Sequence, residues 1–184
     1  MGQVRDHYCI GIDPGYGMTG IVLVDPTGEV LADFAAAHPP VIGQPEHERA
    51  VRFTTQLWAA IDQMLEKIPP DSVLRYGIET PVYTGHPVNF SKQWRLVQEI
   101  EARLHANSML DMPVQLAEIG PTTSKKLLTG KGDADKRDVI MAGPYRNRPD
   151  LRDVTREALA DAYAHAHAAK LTEDYHMLWR CDVV

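Results

Sequence analysis

Two apolar runs in this chain end in the same local text, a glycine, an isoleucine and an acid: Gly11-Ile12-Asp13 and Gly77-Ile78-Glu79. Each run has the length and content of a buried strand. Side chains alternate along a strand, so each acid shares a face with the glycine two residues before it. A glycine inside a strand often marks the close approach of another element. The repeated text therefore calls for a sheet with small residues on one face, carboxylates at its strand ends, and a second element closing onto it.

The surrounding pattern supplies the rest of such a sheet. Tyr8 to Asp13 is a strand, Pro14-Gly15-Tyr16-Gly17 a turn, and Met18 to Val24 a second strand. Asp25-Pro26-Thr27-Gly28 turns the chain into a third strand, Val30 to Ala37, giving an antiparallel meander. After a loop with Pro39, Pro40, Gly43 and Pro45, apolar residues recur at helical spacing from Glu46 to Ile68, where Pro69-Pro70 stops the helix. Leu74 to Glu79 is a fourth strand and Val114 to Ile119 a fifth. Between them, Phe90, Trp94, Val97, Ile100 and Leu104 mark a second helix. Helices follow at Pro121 to Leu128 and Asp133 to Ala142, then a loop at Asn147 to Asp150 and an Ala-rich helix from Val154 to Lys170. This order predicts an α/β fold with a mixed five-stranded sheet, three antiparallel strands then parallel ones, and helices on both faces. The 184 residues fit one domain, with a core over about residues 8–170 and residues 171–184 as a C-terminal tail.

Composition narrows the function classes. No apolar run approaches the roughly 18 residues a membrane helix needs, and the polar Met1 to Asp6 segment does not read as a signal peptide. The expected location is cytoplasmic, with Cys9 and Cys181 as reduced thiols. A formal net charge of −6 argues against a nucleic-acid partner until its distribution is seen. From Lys125 to Arg156 nine Lys/Arg face five Asp, so this segment is about +4 and the remainder about −10. A run of this kind is often just a solvated face. Beside clustered carboxylates, it also suits a nuclease whose metals offset the acids while basic groups hold phosphates.

The last helix is the natural element to close on the glycines. At about 100° per residue, Glu157, Asp161, Ala164 and Ala168 fall on one face, with Leu159, Ala162, Tyr163 and Ala166 opposite. The expectation is that the carboxylate face, otherwise alanine, lies over the strand glycines and brings Glu157 and Asp161 to Asp13 and Glu79. Each acid alone has a plain reading: a turn residue, a solvated strand end, two helix-surface charges. Four gathered carboxylates would repel unless metal or protons intervene, and oxygen-only ligands suit Mg²⁺ or Mn²⁺, two ions per site for phosphodiester chemistry.

Ile12-Asp13-Pro14-Gly15 followed by Thr19-Gly20 resembles the first motif of the RuvC family of Holliday junction resolvases. Gly77-Ile78-Glu79 resembles the second, Gly130-Lys131-Gly132-Asp133-Ala134-Asp135-Lys136 the family's G-x-G-x-x-x-K segment, and Ala160-Asp161-Ala162-Tyr163-Ala164 the last-helix motif. The resemblance runs in order over about residues 8–169. It implies a ribonuclease H-like fold, a homodimer, Mg²⁺-dependent cleavage and four-way DNA junctions as substrate. It implies Asp13, Glu79 and Asp161 as metal ligands, and Lys136 at the scissile phosphate. Lys125, Lys126, Lys131, Arg137, Arg146 and Arg148 are the expected DNA-binding cations.

The chain departs from the family pattern in two places. Bacterial members carry helix acids three apart, and here Ala158 stands three before Asp161. Glu157 is the preferred fourth ligand, with His165, four after Asp161, as its rival. The family also places an aromatic soon after the strand-ending glutamate to stack on a junction base; here Tyr83 or Phe90 is the candidate, or else both simply pack in the loop. These departures suggest a phage-type or otherwise divergent member. The rival readings are a YqgF-type nuclease of RNA–DNA hybrid or structured RNA, a non-catalytic DNA-binding relative, and the two-domain ATP fold of sugar kinases and actin, for which the chain is too short.

Overall fold

A computed structural model describes residues 6–15, 17–39, 42–43, 45–83, 85, 87–107, 114–172 and 176–178. Tyr16, Pro40, Cys181 and the side chain of Leu104 lie outside the described residues. Strands β1 (His7–Asp13), β2 (Thr19–Val24) and β3 (Val30–Ala36) form the antiparallel meander. Helix α1 (Glu46–Leu65) crosses to β4 (Val73–Glu79), and α2 (Pro87–Asn107) to β5 (Val114–Ile119). Then come α3 (Pro121–Thr129), α4 (Lys136–Ala142), a 3-10 turn (Pro144–Asn147), α5 (Asp153–Leu171) and β6 (His176–Leu178). The sheet order is β3-β2-β1-β4-β5-β6, with β4 parallel to both β1 and β5.

Each expected strand and helix is present, with ends displaced by at most about one turn. Strand β6 was not expected: it adds antiparallel to β5 from within the stretch read as a tail, and three residues are too few to show a period. The alternation of β1 divides the molecule. Ile10 and Ile12 face one side, with Ile21 and Leu23 of β2, Phe53, Leu57 and Ile61 of α1, and Leu96, Val97 and Ile100 of α2. Burying each such side chain contributes roughly 1.5–3 kcal/mol. Val97 and Ile100 are therefore part of this chain's own core, while Trp94 of α2 is 38% exposed. Among the described residues, no helix is long and apolar enough to cross a membrane.

The other side of β1 carries Cys9 and Gly11, and α5 lies directly on it. A methyl group at Gly11 would strike the Ala162 carbonyl oxygen and come within 2.9 Å of Ala166 Cβ. One at Gly77 would strike the His165 carbonyl oxygen, and one at Gly20 that of Ala158. The glycines thus admit the helix backbone itself. This corrects the expected helix face: the stripe on the sheet is Ala158, Ala162 and Ala166, with His165 and Ala169 beside it. The wheel put Ala162 and Ala166 opposite the contact. Because α5 is covered by the sheet, α3, α4 and the 3-10 turn, most of its circumference is buried, and no single face identifies the contact. The carboxylates flank the contact stripe rather than lie in it.

Candidate active site

Strands β1 and β4 run parallel in a register that pairs Gly11 with Gly77 and Ile12 with Ile78. The identical text noted at the outset is therefore aligned residue for residue, and it delivers Asp13 and Glu79 side by side at the same end of the sheet. Their carboxyls are close enough for Glu79 to raise the proton affinity of Asp13. Helix α5, seated on the two glycines, brings Asp161 to the same place. Burial, then the charges of Glu79 and Asp161, hold the Asp13 carboxyl well above the usual carboxylate range, with Lys136 opposing them. Burial likewise raises Asp161, offset by Lys136 and His165.

Lys136 reaches this cluster by local geometry. Gly130 takes a left-handed conformation (φ 81°) that ends α3, and the Asp135 side chain accepts a 2.8 Å hydrogen bond from the Asp138 N–H to start α4. Lys136 is thereby the first residue of α4. Its Nζ donates to Glu157 Oε2 at 2.7 Å, and this bond is the main reason the Lys136 pKa is raised. Asp13, Asp161, Glu157 and Lys136 line one cavity of about 500 Å³, together with Arg152. The rival fourth group, His165, is buried, and its Nε2 lies 3.3 Å from Glu79 Oε2.

Asp13, Glu79, Asp161, Glu157 and Lys136, the five groups expected to act together, lie near one another, but not as one uniform ring. Asp13, Glu79 and Asp161 act on one another, Glu157 is paired with Lys136, and His165 touches Glu79. The donor chemistry fits a hard divalent cation: three mutually repelling carboxyls, two of them carrying extra proton affinity, form an oxygen-rich set. As the side chains stand, no three His, Cys, Asp or Glu among the described residues are gathered tightly enough to enclose an ion.

The expected DNA-binding residues separate. Lys125 lies close enough to Asp161 to oppose slightly the rise in its pKa. Lys126 and Lys131 are exposed. Arg148 is engaged by Asp150 at 3.0 Å and faces Asp33 at 3.7 Å. Arg137 and Arg146 have no ion pair or hydrogen bond among the described residues and line a second cavity. Tyr83 and Phe90 pack edge to face at 5.8 Å, and Phe90 stacks on Trp94 at 6.2 Å, leaving Tyr83 59% exposed. Sequence reasoning missed Trp94 as part of this aromatic ladder, although its spacing of four from Phe90 on a helix is the signal. It also missed Arg152 as a wall of the carboxylate cavity. No spacing reveals that contact, because Arg152 sits just ahead of α5.

A mixed sheet in this order, with a helix pressed on strand glycines to bring acids to the ends of its two central strands, defines a ribonuclease H-like protein. Two solved structures agree. "Thermus thermophilus RuvC structure" superposes with a TM-score of 0.58 at 20% identity, covering 88% of this chain and 92% of that one. "T. thermophilus RuvC in complex with Holliday junction substrate" gives 0.59 at 21% identity, covering 88% and 91%. No family model matches the chain. Curated proteins named crossover junction endodeoxyribonuclease RuvC do. That of Xanthomonas oryzae is 34% identical over 86% of each chain, and that of Salinibacter ruber 31% identical over 86% of this chain and 84% of its own. The Chlamydia trachomatis serovar L2 protein is 30% identical over 87% of this chain and 91% of its own. The chain belongs to the RuvC family.

Proposed function

We propose that this protein is a Mg²⁺-dependent endonuclease that resolves four-way DNA junctions by phosphodiester hydrolysis, acting in the cytoplasm in recombination and repair. The observation that carries the reading is the meeting of Asp13, Glu79 and Asp161, with Lys136 beside them, in a chain of the RuvC family. Asp13, Glu79 and Asp161 would hold the metal, with Mn²⁺ able to substitute. Two such ions supply an activated water and stabilise the leaving oxygen. Lys136 stands where it can offset charge gathering on a scissile phosphate. Glu157 keeps Lys136 at the rim of the cavity, and His165 holds Glu79 in position.

Resolution of a junction needs opposite strands cut symmetrically, so the working form is a homodimer with two such sites about a twofold axis. The exposed Tyr83–Phe90–Trp94 ladder offers ring faces on which an unpaired base at a junction can stack.

The test is a nuclease assay with labelled four-way junction, fork, flap and RNA–DNA hybrid, with and without Mg²⁺. The expected result is paired, symmetric cutting of the four-way junction that requires the metal. Preferential cutting of the hybrid would replace this reading with that of a hybrid-specific nuclease, and metal-free cutting would remove the assigned role of the carboxylates.

A further inference from the structure

The Lys136–Glu157 ion pair is a wall between two cavities. The first holds the carboxylates. The second, about 550 Å³, is lined by the start of α4, the 3-10 turn and the start of α5, and Lys136 and Glu157 border both. Arg137, Arg146 and Arg156 all line the second cavity.

Every acid on its wall is already engaged. Asp135 caps α4, Glu157 holds Lys136, and Asp153 holds Arg156 Nη2 at 2.7 Å. Arg156 Nε is buried with no partner among the described residues. Arg137 and Arg146 are exposed and have no hydrogen bond or ion pair among the described residues. The cavity therefore presents guanidinium charge that no described residue neutralises. Ile140 and Met141 line it too, and Met141 is 56% exposed. Guanidinium forks match phosphate oxygens, and an apolar wall beside them suits a sugar better than a bare anion would require.

We propose that this cavity is a sugar–phosphate subsite, in which Arg137 and Arg146, with Arg156 behind them, hold a backbone phosphate next to the one lying over the carboxylates. The shared Lys136–Glu157 wall sets the separation of the two positions. The inference rests on the reading of the chain as a DNA nuclease, and names which part of the substrate its arginines take.

The test measures binding of a labelled four-way junction across a salt series, in a non-cutting Asp13→Asn background. Combining Arg137→Gln with Arg146→Gln should weaken binding roughly tenfold and reduce the salt slope by about 0.9, the loss of one phosphate contact. Lys67→Gln, an exposed cation between α1 and β4 at the end of the sheet remote from the carboxylates, should leave the slope unchanged. A double variant that keeps the parent slope overturns the subsite while the junction reading stands. So does an equal loss in Lys67→Gln. If the parent binds hybrid but not junction, the junction reading fails, and the subsite is decided by the same slope measured on the hybrid.

Discussion

His165 Nε2 lies 3.3 Å from Glu79 Oε2, and this is the imidazole's one polar contact among the described residues, where the buried Nδ1 has no partner. The His165 backbone carbonyl sits on Gly77, two residues before Glu79 in the same strand. One residue thus fixes both the seat of α5 on β4 and the carboxyl at the end of β4. His165 is a positioning residue for Glu79. Replacement by alanine should leave junction affinity near the parent value and weaken Mn²⁺ binding, read by calorimetry, by about 10–100-fold, as removal of a carboxylate's supporting partner does. His165→Gln, whose amide can donate to Glu79, should restore most of the loss. Unaltered Mn²⁺ affinity in His165→Ala would make the residue merely part of the core.

Asp13 makes the metal-free protein less stable than it need be. Its folded-state pKa is raised by burial and by Glu79 and Asp161, above an unfolded value of about 3.9. Between those two values the folded chain keeps a proton that the unfolded chain has released. Stability therefore falls as pH rises through that window, and the penalty is complete above the folded pKa. In EDTA, Asp13→Asn should melt above the parent at neutral pH, and the gap should close as the pH drops below the carboxylate range. Cutting should be lost at every pH. A variant melting at or below the parent at neutral pH would show that the cluster carries no such repulsion.

The Lys136–Glu157 bond separates two roles for Glu157. If its carboxylate serves to hold Lys136, then Glu157→Gln should lower the cutting rate modestly and leave Mn²⁺ affinity unchanged. Lys136→Gln, which removes the cation, should cost on the order of 10²–10³ in rate. Asp161→Asn should impair both metal binding and rate. Should Glu157→Gln weaken Mn²⁺ binding as much as Asp161→Asn does, Glu157 belongs with the ligands.

What was legible in the sequence, and what was not, follows from the range of each signal. The repeated Gly-Ile-acid text was visible because a strand exposes one face every second residue, and its register across β1 and β4 turned that local pattern into a site. The seat of α5 was misread because a helix enclosed by a sheet and three other elements has alanine nearly all round, leaving a wheel nothing to distinguish. Strand β6 is too short to show a period. The grouping of Arg137, Arg146 and Arg156 depends on how α4, the 3-10 turn and α5 come together, which charge counting along the segment from Lys125 to Arg156 does not encode.

The strand glycines set how closely α5 approaches the sheet. Gly11→Ala places a methyl group against the Ala162 carbonyl and the Ala166 side chain, with backbone on the opposing side that cannot turn aside. Overpacking of this kind costs about 1–3 kcal/mol, and a chain of this size loses roughly 2–4 °C of Tm per kcal/mol. The cost to function should be greater than that to stability, since relief of the clash lifts α5 and carries Asp161 and His165 away from Asp13 and Glu79. Gly17→Ala is the matched control. Its added methyl meets nothing within 4 Å and its φ is not positive, so its stability should stay within about 0.5 kcal/mol of the parent. Thermal melts of the two variants, paired with cutting rates at a temperature where both are folded, separate the effects. A Gly11→Ala protein that melts with Gly17→Ala would mean that α5 does not rest on β1 as described.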